Sequence, residues 1–281
     1  MTTDPINFKF SLLPGDLIQS LAGIREVCRK FNRPAHLHLG LGLIGFFYEG
    51  AKHPDDGILL QEHNVKMLKP LLLSQDWIVE VSTFTYRREN EGTPEYQFIP
   101  EIDQSKTYID LDMMVNPDVD INKPYGCITR WPFYIYPEMA CDISKPWLFV
   151  PTNDMVPPNT IIINRTERYR NEQINYSFLK PLESRLLFAG LDHEWRDFSE
   201  KFNLKIPLLR VNDFLELAIV IKSSSFFIGN QSLCMALAEA IKVPRILEAC
   251  DFAPCNIPTG EKAYDFYYQR CFESYVRELA G

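Results

Sequence analysis

The chain has 281 residues, 46% of them hydrophobic and 23% charged, with a formal net charge of −8 and a pI near 5.2. That length suits two domains, and that balance supports a packed soluble core. The acidic charge argues against broad, sequence-blind binding to nucleic acid, which needs a basic face, though a local basic site remains open.

In chain order, Met1 to Lys9 shows neither a basic start nor an apolar run, so no signal peptide is expected. Phe8 to Leu12 reads as a strand, and Leu13-Pro14-Gly15-Asp16 as a turn. Leu17, Leu21, Ile24, Val27, Cys28 and Phe31 then recur at helical spacing, with Asp16 as the expected N-cap. Ala35 to Leu39 reads as a strand, Asn64 to Ser74 as a helix, and Trp77 to Phe84 as a strand. From about Tyr86 to Asn159 many of the 20 prolines accumulate among acidic and aromatic residues, which predicts long loops and short strands. The Pro157-Pro158 pair places the expected linker near Val150 to Asn159.

A second alternating unit follows. Thr160 to Asn164, Arg185 to Ala189 and Lys205 to Arg210 read as strands, and Asp192 to Phe202 as a helix. Asp213 caps a helix running to about Lys222. Phe226 to Ile228 is a strand, Gly229-Asn230-Gln231-Ser232 a polar turn, and the alanine-rich run that follows is a helix closed by Pro244. Ala263 to Leu279 is a last amphipathic helix. Strands alternating with helices predict parallel sheets. The fold class expected is α/β, two Rossmann-like doubly wound sheets facing across a cleft. Their ligands would lie at the carboxyl ends of the strands.

Several groups of residues carry possible chemistry. The turn Gly229, Asn230, Gln231, Ser232 opens directly into a helix, whose first N–H groups lack partners and carry a partial positive charge. That suits an anion, though any strand-to-helix turn uses similar residues. Arg165, Arg168 and Arg170 cluster after a strand and could grip a diphosphate, or form an exposed charged loop. Glu239, two helical turns beyond Ser232, could bond a ribose hydroxyl or sit in solvent. Asp16, beside Gly15, could accept a proton from an attacking hydroxyl, or simply cap its helix. Trp131, Phe133 and Tyr134 could stack on an acceptor ring or pack. Asp110, Asp112, Asp118 and Asp120 form two Asp-x-Asp pairs, read as solvated loop acids rather than a metal site. His36 and His38 share one strand face without a visible third ligand, so no metal is expected. Seven scattered cysteines without a CxxC pair predict reduced thiols and a cytoplasmic protein. No apolar stretch approaches the roughly 20 residues of a membrane span.

With these residues in view, the chain resembles the GT-B glycosyltransferases, and specifically the heptosyltransferase-like group of glycosyltransferase family 9. Phe10 to Arg25 is similar to that group's opening strand, Gly-Asp and helix. Asn212 to Glu248 is similar to its late helix, strand, small-residue turn and alanine-rich helix. The group's Asp-x-Gly-x-x-His turn is replaced here by Gly229 to Ser232. The resemblance implies an acceptor-side domain over 1–150, a donor-nucleotide domain over 151–262, and a C-terminal helix over 263–281 packing back on the first. It implies transfer of a sugar from a nucleotide-sugar to an acceptor hydroxyl without a metal or other cofactor, with Asp16 as base. The acceptor stays open among glycan, lipid-linked, protein and modified nucleic acid. A non-catalytic nucleotide- or glycan-binding protein, or a sugar-nucleotide epimerase, are the alternatives.

Overall fold

The structure is a computed structural model that describes residues 4–45, 57–89, 97–115, 127–251 and 254–281. The chain divides into two compact units. The first holds Met1–Ile121 and Arg130–Cys141, and the second Asn122–Thr129 and Asp142–Gly281. The division therefore falls near residue 141 instead of 150, and a short strap before it belongs to the second unit. The reason is visible in the bonds. Within the second unit the Ile128 amide donates to the Cys255 carbonyl (2.8 Å), and the Trp147 and Leu148 amides both donate to Ala240. Pro157 and Pro158 lie inside that unit, not between the two.

In the first unit β1 (Ile6–Phe10), β2 (Ala35–Leu41), β3 (Ile78–Glu89) and β5 (Ile109–Asp110) run parallel. The strand β4 (Gln97–Pro100) pairs antiparallel with β3, giving the order β4-β3-β2-β1-β5. Phe8, Phe10, Leu37 and Leu39 are fully buried, the expected payoff of strand alternation. The helix α1 (Pro14–Phe31) starts two residues before Asp16. Leu13 is its N-cap, Pro14 stands at the first helical position, and Asp16 falls within the first turn. Proline is preorganised for that position, and an early acid complements the helix dipole, so Asp16 is not needed as the cap. The helix α2 (Glu62–Leu73) tolerates Pro70 internally and buries Val65, Leu68, Leu71 and Leu72.

Four polar side chains thread the middle of this sheet. The rings of His36 and His38 stack with centroids 3.7 Å apart. Ser82 Oγ lies 2.8 Å from His36 Nε2 and 3.0 Å from His38 Nδ1, and His38 Nε2 lies 3.0 Å from Asn7 Oδ1. Burial lowers the pKa of both rings, and the neighbouring His36 and Lys106 help bring His38 to about 4.

The second unit holds β6 (Ile161–Asn164), β7 (Leu186–Phe188), β8 (Phe226–Gly229), β9 (Arg245–Glu248) and β10 (Ala263–Phe266), all parallel in the order β10-β9-β8-β6-β7. Three helices connect them: α4 (Asp192–Phe202), α5 (Phe214–Ser223) and α6 (Leu233–Ile241). The short α3 (Trp131–Ile135) belongs to the first unit. Lys205 to Arg210 makes only one bridge, Leu208 with Phe188, instead of a full strand. The final segment differs from the helix expected over 263–279. Ala263–Phe266 is the edge strand β10, and the helix α7 covers Gln269–Ala280. Its buried Phe272 and Val276 join Tyr176, Phe198 and Phe202 in the core of the second unit, so α7 covers its own sheet. The Phe266 and Phe272 rings stack 4.1 Å apart.

Two stability predictions follow from this packing. Phe272→Ala removes a fully buried ring at the centre of an aromatic cluster and is expected to cost about 3–5 kcal/mol in a denaturant titration. For the histidines the folded pKa lies below the unfolded one of about 6.5. The unfolded chain therefore takes up the protons first, and stability is retained above pH 6.5 and lost as pH falls towards 4. His38→Asn is expected to flatten that loss in melts recorded across the same window.

Candidate functional site

The first unit places Asp16 in the first turn of α1, beyond the exit of β1. That exit is held by a buried charge cluster. The Ser11 amide donates to Asp112 Oδ1 (2.6 Å), Ser11 Oγ pairs with the Tyr86 hydroxyl (2.6 Å), and Tyr86 donates to Asp112 Oδ2 (3.3 Å). Lys9 Nζ reaches Asp110 at 2.8 Å and Asp112 at 3.3 Å. Asp110 ends the parallel strand β5, and neither acid is a solvated loop residue. Burial raises the Asp112 pKa against the pull of Lys9. Burial alone would lower the Lys9 pKa, yet the facing carboxylates raise it. Gly40 belongs to this cluster by its lack of a side chain, because a Cβ there would meet Ser11 Oγ and the rings of Phe84 and Tyr86. Asp118 and Asp120 lie outside the described residues. Gly15 is the second residue of α1. Of the acceptor-side aromatics, Trp131 is buried as packing, Phe133 sits near Gly23, and Tyr134 is 60% exposed.

In the second unit the three arginines have three different fates. Arg165, expected as a donor contact, is 1% exposed and forms a two-pronged ion pair with Glu248: Nε to Oε2 at 2.8 Å and Nη2 to Oε1 at 2.9 Å. The same carboxylate accepts the Asn171 amide (2.6 Å) and the Tyr176 hydroxyl (2.7 Å). Burial would lower the Arg165 pKa, but Glu248 raises it, and Arg165 is committed to that partner. Arg170 is also committed. Its Nη1 pairs with Asp197 (2.6 Å), its Nε donates to the Thr166 carbonyl (2.6 Å), and its Nη2 to the Arg165 carbonyl (3.4 Å). Arg168 alone of the three has a buried nitrogen, Nη1, with no hydrogen-bond partner among the described residues. Tyr169, next along, has φ of 57°, a left-handed conformation that costs a tyrosine steric strain.

The turn into α6 divides similarly. Gly229 is required where β6 and β8 approach: a Cβ would come 2.7 Å from the Asn164 carbonyl oxygen. Asn230 is fully buried, and its amide is spent on the backbone of Thr166 and Arg168. Gln231 is buried and donates to Cys255 Sγ (3.6 Å). Ser232 is the N-cap of α6, accepting the Met235 amide (3.2 Å). Their side chains serve the protein, and what the turn offers an anion is the helix end with its early amides and dipole. Glu239 is neither a solvated charge nor available to a ribose. It is 4% exposed and is gripped by Arg245, Lys242 and Thr259. Sequence reasoning missed Glu248 as the organiser of the Arg165 loop. Its signal was a glutamate ending the apolar run Arg245-Ile246-Leu247-Glu248.

Among the described residues no group of three or more His, Cys, Asp or Glu is arranged to hold a metal, and no helix is long and apolar enough to cross a membrane. No disulfide forms among the described residues.

No family model matches the sequence, and no curated protein matches it. Solved structures do match by shape. A glycosyl transferase family 9 protein from Veillonella parvula DSM 2008 superposes with a TM-score of 0.59 at 10% identity, covering 99% of this chain and 90% of that one. The ADP-heptose lps heptosyltransferase II of E. coli gives 0.59 at 12% identity, covering 99% and 98%. The dodecameric iron-containing heptosyltransferase TibC, in complex with ADP-D-beta-D-heptose, gives 0.53 at 14%, covering 94% and 63%. With two parallel-stranded α/β sheets and these neighbours over nearly its whole length, the chain has the GT-B fold of the heptosyltransferase-like glycosyltransferases.

Proposed function

We propose that the protein is a glycosyltransferase that moves a sugar from a nucleotide-sugar donor to an acceptor hydroxyl. The observation that carries this reading is Arg168 Nη1: a buried guanidinium nitrogen without a protein partner, on a loop bonded to the turn that opens α6. A buried donor of that kind is costly unless an acceptor arrives, and the oxygens of a diphosphate match a guanidinium fork. The amides and dipole at the start of α6 add positive polarity for the same anion. Arg165 and Arg170 drop out as direct contacts and become structural supports.

In the reaction the bond between the anomeric carbon and the diphosphate oxygen breaks, and the acceptor oxygen bonds to that carbon. Asp16 takes the acceptor's hydroxyl proton, while Arg168 and the helix end stabilise the charge developing on the leaving diphosphate. The reading treats metal as unnecessary because these groups supply that stabilisation. The neighbours' names put ADP-sugars first among donors.

The test is a thermal-shift screen against ADP-, UDP-, GDP- and CMP-sugars with and without EDTA. One class is expected to raise the melting point in both conditions, since a ligand bound only by the native state stabilises it, by about 2.7 kcal/mol at a hundredfold excess over Kd. Arg168→Ala is expected to cut that stabilisation by about 1.4 kcal/mol or more, the equivalent of binding at least tenfold weaker. Asp16→Ala is expected to keep the shift and lower turnover by on the order of 10²–10⁴-fold, measured as release of nucleoside diphosphate. A shift with no turnover in the unaltered protein would turn the reading into that of a binding protein. A shift lost in EDTA would overturn metal independence.

A further inference from the structure

Asn230 is 0% exposed, and the polar capacity of its side chain is spent on one short loop. Its Oδ1 accepts the Thr166 amide (2.9 Å) and lies 3.4 Å from Thr166 Oγ1. Its Nδ2 donates to the carbonyls of Thr166 (3.1 Å) and Arg168. The Arg168 carbonyl also accepts from Thr166 Oγ1 (3.2 Å). These bonds sit one residue before the strained left-handed turn at Tyr169. On its far side the loop is anchored by Arg170, and at Asn171 by Glu248. A non-glycine residue persists in that conformation only where its surroundings over-determine it. From the β8–α6 turn, the buried amide of Asn230 supplies bonds of that kind.

We propose that Asn230 is a positioning residue, whose side chain fixes the turn at Tyr169 and so sets the place from which Arg168 meets a diphosphate. The strand-to-helix turn and the arginine loop then form one rigid anion cradle, joined through a single carboxamide. The inference rests on the reading of Arg168 as the diphosphate contact.

A double-mutant cycle separates this role from a structural one. Binding of ADP and of inorganic pyrophosphate to the full chain is measured by calorimetry for the unaltered protein, Arg168→Ala, Asn230→Ala and the double variant, with melting curves for each. Arg168→Ala is expected to weaken binding about tenfold or more, the scale of a hydrogen bond to a charged group. Asn230→Ala is expected to weaken it severalfold, and the double variant to bind no worse than Arg168→Ala alone. If the two losses multiply, Asn230 does not act through Arg168 and the proposal falls. Should Asn230→Ala fail to fold, Asn230→Asp serves in its place. It keeps the shape and replaces both donated bonds with an oxygen facing the two carbonyls, and the same non-multiplying loss is expected. If Asn230→Asp or Asn230→Ala binds like the unaltered protein while Arg168→Ala does not, the positioning role is overturned and the diphosphate reading stands. If Arg168→Ala binds like the unaltered protein, the diphosphate reading fails and takes the proposal with it.

Discussion

The carboxylate of Glu248 organises the second unit. It is fully buried and receives four donors: two from Arg165, the Asn171 amide and the Tyr176 hydroxyl. An isolated buried charge would cost several kcal/mol, so these donors must all be present for the arrangement to hold. The result ties the end of β9 to the loop leaving β6. The Arg165 guanidinium also lies over the rings of Tyr176 and Phe202, joining the ion pair to the aromatic core. Removing one member of such a pair strands the other and is far more damaging than the pair's own net contribution would suggest.

The strand β9 carries a second buried charge, Arg245, which binds Glu239. The first unit repeats the pattern with Lys9 between Asp110 and Asp112. In each case a charge that looks from sequence like solvent chemistry is neutralised inside the fold. Arg165, Arg170, Glu239, Asn230, Gln231 and Ser232 are each matched with protein partners, which is why the proposed function turns on Arg168 and the amides opening α6.

Much of the fold was legible in sequence because periodicity speaks directly about burial. The strands at Phe8, Ala35, Thr160 and Phe226 and the helices after Pro14 and Ser232 all stand close to where their apolar spacing put them. The edge strand at Ala263 was not legible, since Ala-Tyr-Asp-Phe runs without a break into a helical pattern and its pairing with β9 is a long-range fact. The cap of α1 was misjudged because aspartate suits both the cap and the first turn, and the proline decided between them. The site was harder still. That three arginines follow a strand is visible in the sequence. Which of them is bonded depends on Glu248 and Asp197, residues 83 and 27 positions away from their partners.

The way α7 seals the second sheet bears on how the chain is made. Phe272 and Val276 complete a hydrophobic layer begun by Ile161 and Ile163 more than a hundred residues earlier. During synthesis that layer stays open to solvent until the polypeptide has emerged as far as about Ala280. The first unit consists of residues up to Cys141, all of which emerge much sooner. Nascent chains are thus exposed to aggregation mainly through the Phe198, Phe202 and Tyr176 surface, the stretch a chaperone would most need to shield.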